Sequence, residues 1–501
     1  MSITLHDYQD EAVADFEHAV ATGKRRILLV APTGSGKTVV FCEIIKRYVK
    51  QYRSALVISH RREIVTQTSA KLTANGVAHG IIQAGIDPRP MARTQVASIA
   101  TLWVRGVRNN IMPLPPADLL IIDEAHHAPA TTYRKIIEVY PSAVLLGATA
   151  TPCRGDGRGL GGIFETIIEC PQVPELIEGK WLVPTRIYAP VDPDLHGVRT
   201  VAGDYVESQL ADRMDRTKLI GDIVTHWHKL GERRKTVCFA VNVAHSIHLR
   251  DEFIRLGVRA EHIDGSTLKP ERDAILARLA SGETELVTNC MVLTEGWDMP
   301  VVGCCILARP TKKMGLYRQM IGRVLRPAEG KRDAIVLDHS GAVFRHGLPE
   351  DRVEWKLDPD HRAESPEHQK RGHGEHGGGL IECSQCSALR LGGQPCPACG
   401  FMPRRPAEYI RIQDGDLALV QNRTTKPQVY DPATRARWHA MLTAIANERS
   451  YKPGWVAHQY KQKFGAYPSW GSNPQPLAPS QEVRSWVRSR LIAYAKRQGA
   501  A

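Results

Sequence analysis

The chain runs to 501 residues, 43% apolar and 24% charged, a balance that fits a globular protein of three or four domains and excludes a fibrous or low-complexity chain. No apolar run approaches the roughly 18 residues of a membrane span, and Met1–Asp7 lacks a basic stretch leading into an apolar one, so a cytoplasmic protein with no membrane partner is expected. The net charge is +13, and residues 361–501 hold 20 Lys and Arg against 10 Asp and Glu, a basic tail consistent with a polyanionic partner.

In chain order, Leu5-His6-Asp7-Tyr8-Gln9 opens an amphipathic helix with Ala12, Val13, Phe16 and Val20 on its apolar face. Tyr8 and Gln9 could stack on and hydrogen-bond a base, or simply pack the helix entry. The apolar run Ile27–Val30 then feeds Ala31-Pro32-Thr33-Gly34-Ser35-Gly36-Lys37-Thr38, and Val39, Val40, Phe41, Ile44, Ile45, Tyr48 and Val49 follow at helical spacing. A strand, a glycine-bearing turn and a helix N-terminus point backbone N–H groups at a phosphate chain. Lys37 can reach the β- and γ-phosphates and the Thr38 hydroxyl can hold Mg²⁺; Ala31 replaces the glycine that usually begins this motif.

The runs Ala55–Ile58, Leu119–Ile122 and Ala143–Leu146 are apolar throughout, as strands buried on both faces of a parallel sheet are. The second of these ends in Asp123-Glu124-Ala125-His126, and ligands of parallel sheets gather at the carboxyl ends of strands. Asp123 is then placed to hold Mg²⁺ with Thr38, and Glu124 to orient and deprotonate a water aimed at the γ-phosphate. Thr236–Ala240, Leu286–Asn289 and Cys305–Leu307 predict a second parallel sheet, with a helix opening at Pro270–Asp273, an apolar face of Ile275, Leu276 and Leu279, and Gly282 to close it. Arg323 and Arg326, three apart, are expected on one face of a helix, positioned to meet the γ-phosphate when the two domains close.

Taken together these motifs resemble the superfamily 2 helicases with a DEAH-type box, across roughly residues 1 to 345. Ser59-His60-Arg61-Arg62-Glu63 and Thr94-Gln95-Val96-Ala97-Ser98 resemble the family's strand-contacting motifs, and Thr149-Ala150-Thr151 the motif coupling the ATP site to nucleic acid. Thr294-Glu295-Gly296-Trp297-Asp298-Met299-Pro300 and Gln319-Met320-Ile321-Gly322-Arg323-Val324-Leu325-Arg326 resemble the fifth and sixth motifs. The resemblance implies two tandem RecA-like α/β domains (1–190 and 210–345) and an ATP site drawing on Tyr8, Gln9, Gly296, Asp298 and Gln319 besides the phosphate turn. It further implies coupling through His126, Thr149 and Thr151, catalysis by Lys37, Asp123, Glu124, Arg323 and Arg326, and phosphate contacts at Arg61 and Thr94.

Residues 346–379, with His368, His373, His376 and Gly377-Gly378-Gly379, read as a flexible polar linker. Cys383-x₂-Cys386-x₉-Cys396-x₂-Cys399 in residues 380–402 offers four thiolates to a structural Zn²⁺; a redox dithiol or a pair of disulfides is the alternative. The other seven cysteines are scattered through apolar runs, as small buried hydrophobes are. The motor motifs followed by this ribbon resemble the bacterial RadD group and the wider XPB-like proteins. That likeness implies DNA ahead of RNA, a role in recombinational repair, and single-strand-binding or recombination proteins as further partners; His6 stands where these relatives commonly carry Arg.

Residues 403–501 form a basic accessory region, in which ten aromatics between 430 and 494 (Trp438, Trp455, Tyr460 and Trp486 among them) are interleaved with Lys and Arg. A base-stacking surface, an ordinary small helical core and a protein-docking module all fit that pattern. Two further readings of the whole stay open: the motor of a restriction system, whose nuclease a partner chain would supply, and an adaptor that binds nucleic acid and uses ATP only as a switch.

Overall fold

A computed structural model describes residues 4–358, 380–402 and 431–490, apart from 88, 90, 91, 155, 156, 190–194, 196, 202, 216, 295, 453, 465, 470–473, 481, 485, 488 and 489. The chain divides into two compact units, Met1–Pro406 and Ala407–Ala501.

The first unit holds two parallel sheets. The N-terminal sheet is built from β1 (Arg26–Val30), β2 (Ala55–Ser59), β3 (His79–Ile82), β4 (Thr94–Ser98), β5 (Leu119–Asp123), β6 (Val144–Thr149) and β7 (Thr166–Glu169), in the order β3-β4-β2-β5-β6-β1-β7. Alternate residues of one strand fall into separate apolar clusters: Ile27 and Leu29 pack on one face, Leu28 and Val30 on the other. That explains the unbroken apolar runs, since helices cover both faces and neither alternates with solvent. Helices α1 (Asp7–Ala21), α2 (Lys37–Lys50) and α3 (Arg62–Ala74) contribute Phe16, Ile45 and Leu72 to the first of these clusters.

The second sheet is β12-β13-β11-β14-β15-β8, from β8 (Thr185–Tyr188), β11 (Thr236–Phe239), β12 (Ala260–Ile263), β13 (Leu286–Asn289), β14 (Cys304–Leu307) and β15 (Ala334–Asp338). A short hairpin, β9 (Thr200–Val201) and β10 (Asp204–Tyr205), precedes β11. The helix expected at Pro270 spans Lys269–Ser281, and Gly282 ends it at φ 90°. Membership of β8 differs from expectation. Thr185–Tyr188 pairs with β15 of the second sheet, so the change of lobe falls before residue 185 rather than at 190.

The expected flexible linker is also different over its first part. Residues 347–358 run back from the second lobe as an ordered strap and bury Val353 and Trp355 in the apolar cluster of the first lobe. The Gln172 side chain clamps Val353, accepting from its N–H (2.9 Å) and donating to its carbonyl (2.8 Å). Arg318 donates to the Asp351 carbonyl at 2.7 Å, and the Gly161 N–H donates to the Leu357 carbonyl at 2.6 Å. Polar composition suggested a solvated connector; Val353, Trp355 and Leu357, alternating along the segment, are what dock it. Residues 359–379 of that linker, with His368, His373 and His376, lie outside the described residues.

The Cys-rich segment forms a two-stranded ribbon, β16 (Leu380–Glu382) and β17 (Leu389–Leu391), antiparallel. Cys383, Ala388 and Cys396 are buried in the same cluster as Tyr188 and Trp227, so the ribbon is part of the second lobe's packing. Six of the seven scattered cysteines are buried and none is disulfide-bonded.

In the second unit, Asp431 caps the helix Pro432–Glu448 by accepting from the Thr434 N–H at 2.7 Å, with Pro432 in the first turn. That helix and Gly454–Phe464 enclose Trp438, Leu442, Ile445 and Tyr460 with Val483 and Val487. Lys463 lies 4.4 Å from the centre of the Trp438 ring. The described aromatics therefore chiefly build a core with cations on its ring faces, Tyr467 at 53% exposure being the exception. Tyr430, Trp470 and Tyr494 lie outside the described residues.

Because Trp355 is 9% exposed and seats the strap, Trp355→Ala should remove roughly 3–5 kcal/mol from the first unit. The check is a lowered urea midpoint with an unchanged slope; a midpoint equal to the parent's would mean the strap contributes nothing.

Candidate nucleotide site

Between the two lobes lies a cavity of about 580 Å³, within the range of small-ligand sites. Its walls come from the loop after β1 (Thr33, Gly34, Ser35, Gly36) and the start of α2 (Lys37, Thr38), from Asp123 and Glu124 at the end of β5, and from Gly296, Asp298, Arg323 and Arg326 of the second lobe. Tyr8 and Gln9 line it as well. The order of the first sheet explains the meeting: β1 and β5 run parallel on either side of β6, so the phosphate loop and the acidic strand end both emerge at the carboxyl end of the sheet, one strand apart.

Gly36 has φ 83°, a left-handed conformation that only glycine adopts without strain, and it lets α2 start at Lys37. The Lys37 ammonium lies 3.0 Å from Asp123 Oδ1 and 2.7 Å from Glu124 Oε1. Burial opposes its charge, but Asp123 and then Glu124 outweigh burial and raise its pKa. Two neighbouring carboxylates share that one cation, and burial pushes the Asp123 carboxyl up. Glu124 sits at φ 55°, an uncommon conformation for a residue with a side chain, which aims its carboxylate back toward Lys37.

His126 Nδ1 stands 3.4 Å from Glu124 Oε2 and 3.2 Å from the Thr149 hydroxyl. Thr149 Oγ1 in turn accepts from the Thr151 N–H at 3.2 Å. Thr151 packs on Gly315, at the start of the second-lobe helix Met314–Gly322. Acid, histidine, hydroxyls and second lobe are thus one contiguous set of contacts.

The expectation of Arg323 and Arg326 on a helix face is corrected: the helix ends at Gly322, and both arginines lie in the turn beyond it. Arg323, 6% exposed, donates to the carbonyls of Thr294 (2.6 and 3.0 Å) and Trp297 (2.7 Å). Arg326 pairs with Asp298 at 2.5 Å, and its side chain passes close to Gly34 of the phosphate loop.

Two other expectations fail. Thr94 is fully buried at the amino end of β4, paired with Ala55 and His79, and so is out of reach of a phosphate chain. Gln319 is buried on the helix Met314–Gly322 and does not line the cavity. Arg61 reaches the second lobe, donating to the Val292 (3.2 Å) and Met291 (3.3 Å) carbonyls, and so ties the lobes together. Beside it, Glu63 pairs with Arg272 at 2.6 Å and Gln67 donates to the Gly296 carbonyl at 2.8 Å.

Trp181, Lys180 and Lys71 also line the cavity and were missed. Trp181 follows the helix Val173–Glu178 in a short turn, with no periodicity to mark it; its ring lies 4.8 Å from Tyr8 and 5.6 Å from His6. In the ribbon, the sulfurs of Cys383 and Cys399 are 3.7 Å apart, those of Cys386 and Cys396 3.6 Å, and all four lie within 4.8 Å of one another. A tetrahedron with metal–sulfur arms of about 2.3 Å has edges of about 3.8 Å, so the four thiols fit a zinc ion.

Residues 2–154 match the family described as "Type III restriction enzyme, res subunit", and residues 216–328 the helicase conserved C-terminal domain. The chain is 30% identical over 409 residues to the 51.5 kDa protein of a Lactococcus phage, covering 80% of this chain and 84% of that protein. It is 33% identical over 362 residues to the putative ATP-dependent helicase IRC3 of Saccharomyces cerevisiae, covering 68% of this chain and 52% of that longer protein. In fold it is similar to a fragment of a putative HsdR subunit of a type I restriction enzyme from Vibrio vulnificus, with a TM-score of 0.55 at 22% identity over 72% of this chain and 68% of that one. Two helicase domains matched in order, closed on each other around a nucleotide-sized cavity, lead to one assignment: the chain belongs to the superfamily 2 helicases, motors that hydrolyse ATP.

Proposed function

We propose that this chain is a DNA-stimulated ATPase that moves along DNA, serving repair or recombination as the RadD and XPB-like proteins do. The observation that carries the reading is that Arg326 lies against the phosphate loop from the opposite lobe, in a cavity that also holds Lys37 and Glu124. A triphosphate bound there would be gripped by both lobes, so its cleavage changes what holds them together. The likeness to restriction-enzyme subunits and the basic balance of residues 361–501 favour DNA as the polymer.

In this reading the backbone of Thr33–Gly36 cradles the phosphates, Lys37 binds their charge, and Glu124 takes the proton of the attacking water. Arg326, and Arg323 through its hold on the Thr294 and Trp297 carbonyls, set the cation from the second lobe. Thr38 and Asp123 would hold a Mg²⁺ ion, which supplies charge neutralisation at the β- and γ-phosphates. His126 and the Thr149–Thr151 pair carry the state of Glu124 to the second lobe. Cys383, Cys386, Cys396 and Cys399 would hold a zinc ion, whose role is structural because four thiolates fill its tetrahedron. The match of residues 2–154 to a restriction-enzyme family favours a second reading, a restriction motor whose nuclease belongs to a partner chain.

Phosphate release measured with and without single-stranded DNA, double-stranded DNA and RNA tests the proposal. DNA should accelerate turnover at least tenfold and RNA less; slow release indifferent to polymer would instead identify an adaptor that uses ATP as a switch.

Glu124→Gln should lower turnover roughly 10²–10⁴-fold and Arg326→Ala roughly 10³–10⁵-fold, with melting temperatures near the parent's. Parent-like rates in either variant would contradict the assigned roles.

Elemental analysis of the purified chain should return about one zinc per molecule, and Cys396→Ser should lose it. A metal-free, fully folded parent would remove the zinc site.

A further inference from the structure

The strap touches both lobes within a few residues. On the second lobe it lies against the helix Met314–Gly322, which runs into the two arginines. The Tyr317 hydroxyl donates to the Gly347 carbonyl at 2.8 Å, and Arg318 donates to the Asp351 carbonyl at 2.7 Å. Glu350 accepts from the Thr185 N–H at 3.0 Å, so this end of the strap belongs to the second lobe.

Two residues beyond Asp351 the partner changes. Gln172 grips Val353 at both its N–H and its carbonyl, and Val353 and Trp355 are buried in the first lobe. Further on, the strap backbone passes over Gly159 and Gly161, where a Cβ on either would stand 2.5 Å from the Leu357 carbonyl oxygen. Any side chain there would close the seat. From Asp351 to Val353 the extended chain reaches at most about 7 Å, so a strap docked on the first lobe leaves Arg318 little room to move away.

Between strap, helix and phosphate loop lies a cavity of only about 30 Å³, lined by Thr33, Gln172, Arg318, Gly322, Pro349 and Trp355. That is room for a water molecule or two rather than for a side chain. Elements packed this closely pass a displacement on to one another. The helix is thus held from two sides: Gly322 against Thr33, and Tyr317 and Arg318 against the strap.

Given ATP cleavage in the cavity between the lobes, on which the inference rests, we propose that the strap is a positioning element of the reaction. Trp355 and Gln172 fix it to the first lobe, and Tyr317 and Arg318 pass that position to the helix that sets Arg326 over Gly34. None of these four side chains lines the nucleotide cavity. They act on where the Arg326 guanidinium stands, and misplacing a group by about 1 Å at a reacting centre costs roughly 10²-fold in rate.

Steady-state ATP hydrolysis by the full chain, with saturating DNA, tests this. Arg318→Ala frees the helix from the strap, and Gln172→Ala loosens the strap from the first lobe. Each should lower kcat roughly 10–10²-fold and leave KM for ATP within about threefold of the parent's. The double variant should lose no more than the worse single one, because both cut the same link, whereas two independent defects would multiply. Trp355→Phe should keep most of the parent's kcat and Trp355→Ala should not, both read well below their melting temperatures. Gln172 is partly exposed and gives up only two hydrogen bonds, so its variant stays folded where Trp355→Ala is weakened. A parent-like kcat in Gln172→Ala, multiplied losses in the double variant, or a loss carried by KM overturns the inference and leaves the motor standing. A parent chain that hydrolyses no ATP removes the proposed activity and the strap's role together.

Discussion

The closed cavity depends on how near the second lobe can come to the phosphate loop. Gly322 ends the helix Met314–Gly322 directly against Thr33, where a Cβ would stand 2.5 Å from the Thr33 Cβ. That approach puts the next turn, and Arg326 with it, over Gly34. A charge on a flexible side chain is worth little at a distance, because water and salt screen it. Set against the loop in a partly buried cleft, the same guanidinium acts in a medium of lower effective dielectric. Electrostatic strength at this site is thus a consequence of backbone packing.

The first lobe has its own chain of dependence. The acidic strand end, the histidine and the two threonines connect through contacts of 3.2 to 3.4 Å, and Thr151 abuts the helix that leads into the arginines. These contacts run without a break from Glu124 to the second lobe. Arg61, Glu63 and Gln67 add a second seam, joining the start of α3 to the segment around Gly296. Two sets of contacts thus join the lobes around one cavity.

Strap and ribbon extend the motor beyond its two sheets. The strap carries the chain from the second lobe back onto the first, fixed by apolar burial and the two-point clamp of Gln172. Beyond it, the ribbon shares the apolar cluster of β8 and Trp227, so its thiols stand on the second lobe. Neither behaves as an appendage.

Much of this was legible in the amino-acid order alone. Apolar runs of strand length announced both parallel sheets, and Gly-Lys-Thr after such a run located the phosphate loop, because these signals are local: a strand, a turn and a helix start within a dozen residues. The same holds for the paired Cys-x₂-Cys knuckles and for Asp123-Glu124 at a strand end. What needed the folded chain were facts about residues far apart in sequence. The order of strands set β6 between the loop and the acid; β8 joined the second sheet; Thr94 fell at the amino end of a fully buried strand. Trp181 came to face Tyr8, and the arginines left the helix that was to carry them. A local pattern specifies what a segment prefers to be, whereas burial and the close approach of backbones from two lobes decide which side chains share a cavity.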